Sequence, residues 1–552
     1  ESKDNFGMLA TNQAEVINKG TINIGASTGS VGMAALKDGA THSTAKNEGT
    51  ISVNGAEATG VYNTGHFLMD NINAKINVKG SQSIALYAKE TDPTHTKTEL
   101  KKGTVKSEDG AVALYSDQAN ITLDNTSGNL KLVAGNGGLL FYNYKSSNPN
   151  DYAGQFTING PVVADIESGG YGFYLKNATI NNVSGQVQGV PAFLDAMFNI
   201  TANKLKVKMQ SGGTFMVLHK PTGGSMKLSS VSNLAAINSA LGSKVELEAP
   251  TTGSYKVYSV YRGKLEINQD VNLDNDESTA TTDAFYKVDF RSSNMLVEAG
   301  KTVSGTKQGQ VALFQGNFNE GAGGDVGTVG DVSIVNNGTI KLTGNSITTG
   351  PVASRKTTTA MAGDFITLTN NKTIEVTGDN GIGIYGAGGS KILNNAGASL
   401  TVGQEGVALY GANKLNSSTL GDGTISVTNA GDIQGVNGKT KAFGIFAENT
   451  SSTVTDSNLT NSGTIDFSSS QESIGIHSIN STVSNTGNIK MGLKGVAINS
   501  KNSDINSTGD IVLAGNGIAF NLGGTFTGRT LNFSSKVTLN GDGNSIFNLK
   551  DM

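Results

Sequence analysis

"NTGNIKMGLKGVAINSKNSDINSTGDIVLAGNGIAF", residues 485–520, states one phrase twice at an interval of 22 residues. Gly487 is followed by Ile489 and Met491, and Gly509 by Ile511 and Leu513; Gly495 opens GVAIN and Gly517 opens GIAFN. Strict alternation over four or five residues sends neighbouring side chains to opposite faces, so Ile489 and Met491 share a face and Val496 is expected to share one with Ile498. Each phrase therefore reads as a short half-buried strand.

Outward from this stretch, three phrases recur in fixed order. The first, Asn-x-Gly-x-Ile-x-hydrophobic, occurs at Asn18 to Ile24, Asn47 to Val53, Asn337 to Leu342, Asn429 to Ile433, Asn461 to Phe467 and Asn485 to Met491. The second is Gly or Ser, then Ile or Val, a small residue, an aliphatic and often an aromatic, with Ala in first place once: SIALY at 83, AVALY at 111, GIGIY at 381, GVALY at 406, SIGIH at 473 and GVAIN at 495. The third is a polar phrase with one or two apolar residues, such as SKIL at 390, STVS at 481 and SDIN at 503. Hairpins would need Asn-Gly or Asp-Gly turns between antiparallel neighbours. The cyclic order instead predicts that each phrase pairs with its own copy one repeat later. That is an all-β chain, a right-handed parallel β-helix (three-sheet β-solenoid) with loop insertions, since parallel crossovers are right-handed by strong default. Spacing varies, with 34 residues from Gly397 to Gly431 and 24 from Gly463 to Gly487. Extra residues must leave at corners, because an insertion within a strand would exchange its faces. Some twenty coils at one strand spacing each would reach on the order of 90 to 100 Å.

The composition agrees. Glycine numbers 73 in 552 residues, about 13% against roughly 7% in ordinary proteins, while charged residues are 16% against about 25%. Like charges stacked coil on coil repel, whereas stacked Asn, Ser and Thr can hydrogen-bond; glycine is expected to supply corners of positive φ. With 36% hydrophobic residues and a formal charge of −4, this is not a disordered composition. Arginine is confined to Arg262, Arg291, Arg355 and Arg529, so there is no basic stripe and no nucleic-acid partner is expected. Cysteine is absent, which removes disulfides, thiolate metal sites and cysteine nucleophiles together. No run of about 18 apolar residues could span a membrane as a helix. The chain starts at Glu1 and ends just after the repeat-like NSIFNL, and so reads as a piece of something longer.

Three regions are expected: regular coils over 1–128, degenerate coils over 129–330, and regular coils over 331–552. In the middle region the Asn-x-Gly marker fades. Strand-like stretches persist (GLLFYN, GYGFYL, TFMVLH, QVALFQ), and aromatic, longer loops enter at FYNYKSSNPNDYAGQF (141–156) and YKVYSVYRG (255–263). SNLAAINSALG predicts a short helix near 232–241, with Ser232 as N-cap, Leu234, Ile237 and Leu241 on one face and Gly242 as its stop.

No catalytic or metal-ligating residue and no cofactor is assigned. Asp270, Asp274, Asp276 and Glu277 form the densest acidic group; it reads first as a solvated loop, against a catalytic pair or a calcium site. His42, His66, His95, His219 and His477 are scattered singly, without metal-ligand spacing. GAGGDVGTVGD at 321–331 lacks the period of calcium-binding nonapeptides and reads as a flexible loop. The fifth position of the second phrase reads Tyr87, Tyr115, Tyr142, then Tyr385, Tyr410, Phe446, His477, and finally Asn499, Asn521, Asn548. Counted from an inward Ile384, Tyr385 faces outward or sits at a corner. These residues are expected to form a structural ladder, with a stacked binding face as the alternative. For ligand binding the favoured residues are Tyr142, Tyr144, Asn148, Asn150, Asp151 and Tyr152, an aromatic, Asn-rich loop on a rigid scaffold. A tolerated insertion is the alternative there.

NNGTIKLTGNS, NSGTIDFSSSQESIGIHSINSTVSNTGNIKMG and GVALYGANKLNSSTLGDGTISV resemble the passenger repeats of large fusobacterial type V autotransporter adhesins, closely over 331–552 and more loosely over 1–128. The resemblance implies a monomeric, surface-exposed adhesin fragment on the bacterial cell surface, outer-membrane anchored or secreted. Its partners would be a host-cell surface protein or glycan, or the surface of a partner bacterium; membrane attachment would come only through a C-terminal β-barrel not in this chain. Two rivals stay open: a β-helical carbohydrate-active enzyme, a lyase or hydrolase, and an inert stalk.

Overall fold

The computed structural model describes the chain apart from residues 1–4, 26–27, 91–95, 145–153, 177–181, 184–185, 188–193, 195–196, 201–203, 220–224, 229–233, 254, 276–287, 292–293, 317–331, 414–423, 450–456, 525–527 and 551–552. It is a parallel β-helix, divided into two compact units: Glu1–Gly263 with Lys287–Asp289, and Lys264–Tyr286 with Phe290–Met552.

The second unit contains the repeats in their plainest form. Each of the three phrases builds one sheet, and every neighbour is the same phrase in the adjoining coil. The Asn-x-Gly phrase gives Thr373–Val376, Ser399–Val402, Asp432–Gly435, Thr464–Phe467 and Asn488–Met491, paired in parallel through Ile374, Leu400, Ile433, Ile465 and Ile489. The 34-residue interval leaves this register intact, as expected if surplus chain leaves at corners. The other sheets stack Ile384, Leu409, Ile445, Ile476 and Ile498, and Leu368, Ile392, Val427, Leu459 and Val483. All but two of these fifteen side chains are fully inaccessible, and those two are 1% exposed. Each contributes roughly 1.5 to 3 kcal/mol of burial, which makes these columns the main favourable term.

An amide row runs inside the first corner. Asn336, Asn370, Asn394, Asn429 and Asn461 each donate Nδ2 to Oδ1 of the next, ending on Asn485, at 2.7 to 2.8 Å. All six are completely buried. The motif has a local reason as well: Asn336 Oδ1 accepts from the Gly338 amide two residues on, and Asn18 does the same for Gly20. The side-chain oxygen thus closes the turn while the amino group ties the coil to its neighbour. At 336–342 the phrase therefore starts at Asn336, one residue before the expected Asn337. Asn337 belongs to a second, outer row, in which Asn395 donates to Asn371 and Asn371 to Asn337.

Two local expectations are corrected. Val496 and Ile498 do not share a face: Val496 is half-buried, whereas Ala497 and Ile498 are both inaccessible. The strand bends at its small residue, and the equivalent Gly475 lies so near the next coil that a Cβ there would meet the Ala497 carbonyl oxygen at 2.6 Å. Of the marker glycines, Gly397 has the expected positive φ, at +79°, but Gly431, Gly463, Gly487 and Gly509 do not. Gly463, Gly487 and Gly509 are glycine because a Cβ on each would overlap backbone of the preceding coil, the Gly431, Gly463 and Gly487 carbonyl oxygens respectively. Glycine supplies positive φ at 23 described positions, as expected, but beside the second phrase of this unit other residues take it: Asn380, Glu405, Lys441, Glu472, Lys494 and Asn516 lie between +53° and +59°. One left-handed turn thus recurs coil after coil, on residues that tolerate it less well than glycine.

The first unit follows the same plan. One sheet runs in parallel from Phe6–Ala10 through Val31–Ala35, Thr59–Asn63, Ile84–Lys89, Val112–Asp117, Leu139–Tyr144, Tyr171–Lys176 and Thr214–His219 to Lys256–Tyr261. The coils after 128 therefore keep the pairing although they lose the Asn-x-Gly marker. The aromatic stretch 255–263, read as a loop, supplies the last of these strands, with Val257, Tyr258 and Val260 buried. The other two faces merge into one sheet because His66–Lys79 and Lys97–Glu108 run unbroken around the corner. A helix spans Leu234–Leu241; Ile237 and Leu241 are buried while Leu234 is exposed, and Gly242 at φ +78° ends it. Ser232 lies outside the described residues. Asn238 anchors the helix through both its amide atoms to the Leu247 backbone, at 3.0 and 2.8 Å.

Candidate binding surface

The fifth position of the second phrase lies on the outer face of both units, one residue beyond the buried aliphatic. In the first unit it stacks Tyr62, Tyr87, Tyr115, Tyr142 and Tyr174, with ring centroids 5.4, 4.9, 4.6 and 5.7 Å apart. Each inner ring has a neighbour against both faces, so only edges and hydroxyls reach solvent. Burial pushes the Tyr87, Tyr115 and Tyr142 phenols above their ordinary range; at Tyr87 the Asp117 carboxylate, 2.5 Å from the hydroxyl, adds to this. These are neutral, structural rings. Tyr142 therefore offers a ligand no open face. Tyr144, two residues along the same strand, is 45% exposed. Asn148, Asn150, Asp151 and Tyr152 lie outside the described residues; on either side of them, the Asn143 amide donates to the Gly154 carbonyl at 3.0 Å.

In the second unit the ladder changes chemistry along its length. Tyr385, Tyr410 and Phe446 meet edge to face at 5.3 and 4.9 Å, and Phe446 lies flat on His477 at 4.6 Å. Amides then take over. Asn548 donates to Asn521 and Asn521 to Asn499, both at 2.6 Å, and Asn499 Nδ2 lies 2.8 Å from His477 Nδ1. Because the Asn499 oxygen already accepts from Asn521, its amino group must donate to the ring. Nδ1 is then the acceptor and Nε2 carries the proton, directed at Glu448 Oε1 3.5 Å away. Burial lowers the His477 pKa against the opposing pull of Glu448, so the ring is neutral at pH 7.

Beside this amide row the surface forms a depression of about 570 Å³, lined among others by Asn499, Asn521, Lys501, Gly523 and Lys550. Lys501, Gly523 and Lys550 occupy one register position in three successive coils. The sequence held this signal two residues past each ladder Asn, but no recurring letter marks it. No match to this chain is found among family models, curated proteins or solved structures.

The two described members of the acidic group, Asp270 and Asp274, accept hydrogen bonds from the next coil. Asp270 accepts from the Thr302 amide at 2.9 Å. Desolvation raises the Asp274 pKa, but hydrogen bonds from the Thr306 hydroxyl and amide and from Gln310 outweigh it and hold the carboxyl at about 2. Its lone pairs are thereby engaged in joining one coil to the next. Asp276 and Glu277 lie outside the described residues, as do 321–331 and His95. Among the described residues no three His, Cys, Asp or Glu side chains are grouped to hold a metal ion.

Proposed function

We propose that this chain is an adhesive segment displayed on a bacterial surface, of the autotransporter-passenger kind that its repeats resemble. It attaches to host cells or to other bacteria through the outer face of its β-helix. The observation that supports the reading is the outer ladder: one register position per coil repeats, at a fixed spacing, rings and then amides whose remaining donors and acceptors face solvent. A fixed row of this kind suits repetitive ligands such as glycans or an extended partner chain. The interior columns hold that row in place. The labelled chain should bind epithelial or bacterial cells saturably in flow cytometry, and replacing residues 145–153 by Gly-Ser-Gly separates loop from face. Absent or non-saturable binding to every surface tested overturns the adhesive reading. Unchanged binding by the loop replacement assigns adhesion to the face.

A further inference from the structure

We propose that the depression beside Asn499 and Asn521 binds an acidic saccharide, a uronate or a sulfated sugar, through its anionic group. This inference deepens the adhesive reading and rests on it.

The argument starts from one column of the sheet. Lys501 and Lys550 are exposed and stand two coils apart, with Gly523 between them at the same register position. Two strand spacings separate them by roughly 10 Å along the column. A residue of ordinary size at 523 would fill the interval, as Glu448 and Ile479 fill the same position in earlier coils; glycine leaves it open. Neither lysine has a carboxylate partner among the described residues. The gap is therefore flanked by two lysines and floored by backbone, and is open to one carboxylate or sulfate between them. Ammonium groups hydrogen-bond such anions with charge assistance.

The amide row supplies the rest. Each of Asn499 and Asn521 uses one amide hydrogen and one oxygen lone pair within the ladder. A second hydrogen and a second lone pair remain on each. They repeat at one strand spacing, about 4.8 Å, close to the length of a pyranose unit. Hydroxyls on successive sugars can therefore meet donor and acceptor in turn, while the anionic group sits two residues further along the strands. A free inorganic anion would use only the lysines; a saccharide would use both.

A variant that leaves the fold intact is available at the centre of the site. A Cβ on Gly523 would meet its nearest atom, the Lys550 carbonyl oxygen, at 3.4 Å, an ordinary contact. Gly523→Asp places a carboxylate in the gap, where it pairs with both lysines. Titration calorimetry with a heparin-derived tetrasaccharide, with neutral chitotetraose and with inorganic sulfate should show measurable binding of the first and little of the other two. Affinity for the heparin fragment should fall at least about tenfold in G523D and in the K501Q/K550Q double variant, a factor equal to about 1.4 kcal/mol. Undiminished binding by both variants, or no binding of the acidic tetrasaccharide by the parent chain, overturns the inference. Equal binding of sulfate and tetrasaccharide reduces the site to an anion site and overturns the saccharide assignment. If the chain binds cells saturably but not the tetrasaccharide, this inference fails and adhesion stands. If it binds the tetrasaccharide but no cell, the adhesive reading fails and the site stands.

Discussion

Replacing Asn429 by alanine tests what the buried amide row contributes. Asn429 is inaccessible, accepts from Asn394 at 2.7 Å and donates to Asn461 at 2.8 Å. Alanine removes both bonds and strands a donor on Asn394 and an acceptor on Asn461. Each stranded buried group costs roughly 1 to 3 kcal/mol. The two together amount to about 4 kcal/mol, close to a thousandfold in a local opening equilibrium. Because a solenoid is stabilised coil by coil, the loss should be local. Hydrogen exchange read by mass spectrometry should therefore accelerate by about that factor in Lys391–Asn394, Ser426–Asn429 and Ser457–Asn461, and stay unchanged in Thr59–Asn63 of the other unit. Asn429→Ser should lose less, because the column already carries a hydroxyl at Ser507, which accepts from Asn485 at 3.2 Å. Acceleration below tenfold in the alanine variant, or acceleration spread equally over both units, would refute the stranded-partner account.

Two further outcomes follow from the corners. Gly487→Ala must push its Cβ into the Gly463 backbone and should destabilise its coil by several kcal/mol, whereas Gly397→Ala, at φ +79° with nothing within 4 Å, should cost about 1 to 2; equal losses in thermal melts would sink the distinction. The folded-state pKa of Asp274 lies below the ordinary 3.8, so its contribution is present above that value and disappears as the pH falls toward 2. Asp274→Asn should flatten the fall in melting temperature between pH 4 and 2, and an unchanged slope would show that its bonds to Thr306 and Gln310 carry nothing.

Much of the fold was legible because parallel pairing with a copy of itself forces a sequence to repeat what it stacks. Ile433, Ile465 and Ile489 are alike because each rests on the last, and the Tyr, Phe, His and Asn of the outer ladder were readable in order for the same reason. What alternation could not convey was the bend at Ala497 and Gly475, where two consecutive residues turn inward around a small side chain. The glycines of the marker misled for a related cause: a letter does not reveal whether a Cβ is excluded by torsion or by a neighbouring carbonyl. Tyr142 was legible both as a ladder ring and as a loop residue, and with Tyr115 and Tyr174 against its two faces it belongs to the ladder. The depression escaped notice because its essential residue, Gly523, matters for what it leaves empty.

The inner amide row and the ladder amides of the second unit point opposite ways. From Asn336 to Asn485 every inner side chain gives its proton toward the C-terminal end, while from Asn548 to His477 every outer one gives toward the N-terminal end. An arriving coil thus meets a donor on the inside and an acceptor on the outside, and answers each with the complementary atom of its own amide. Assembly by successive addition thereby acquires a sense of direction, since each coil, once seated, sets which amide atom the next must turn toward it.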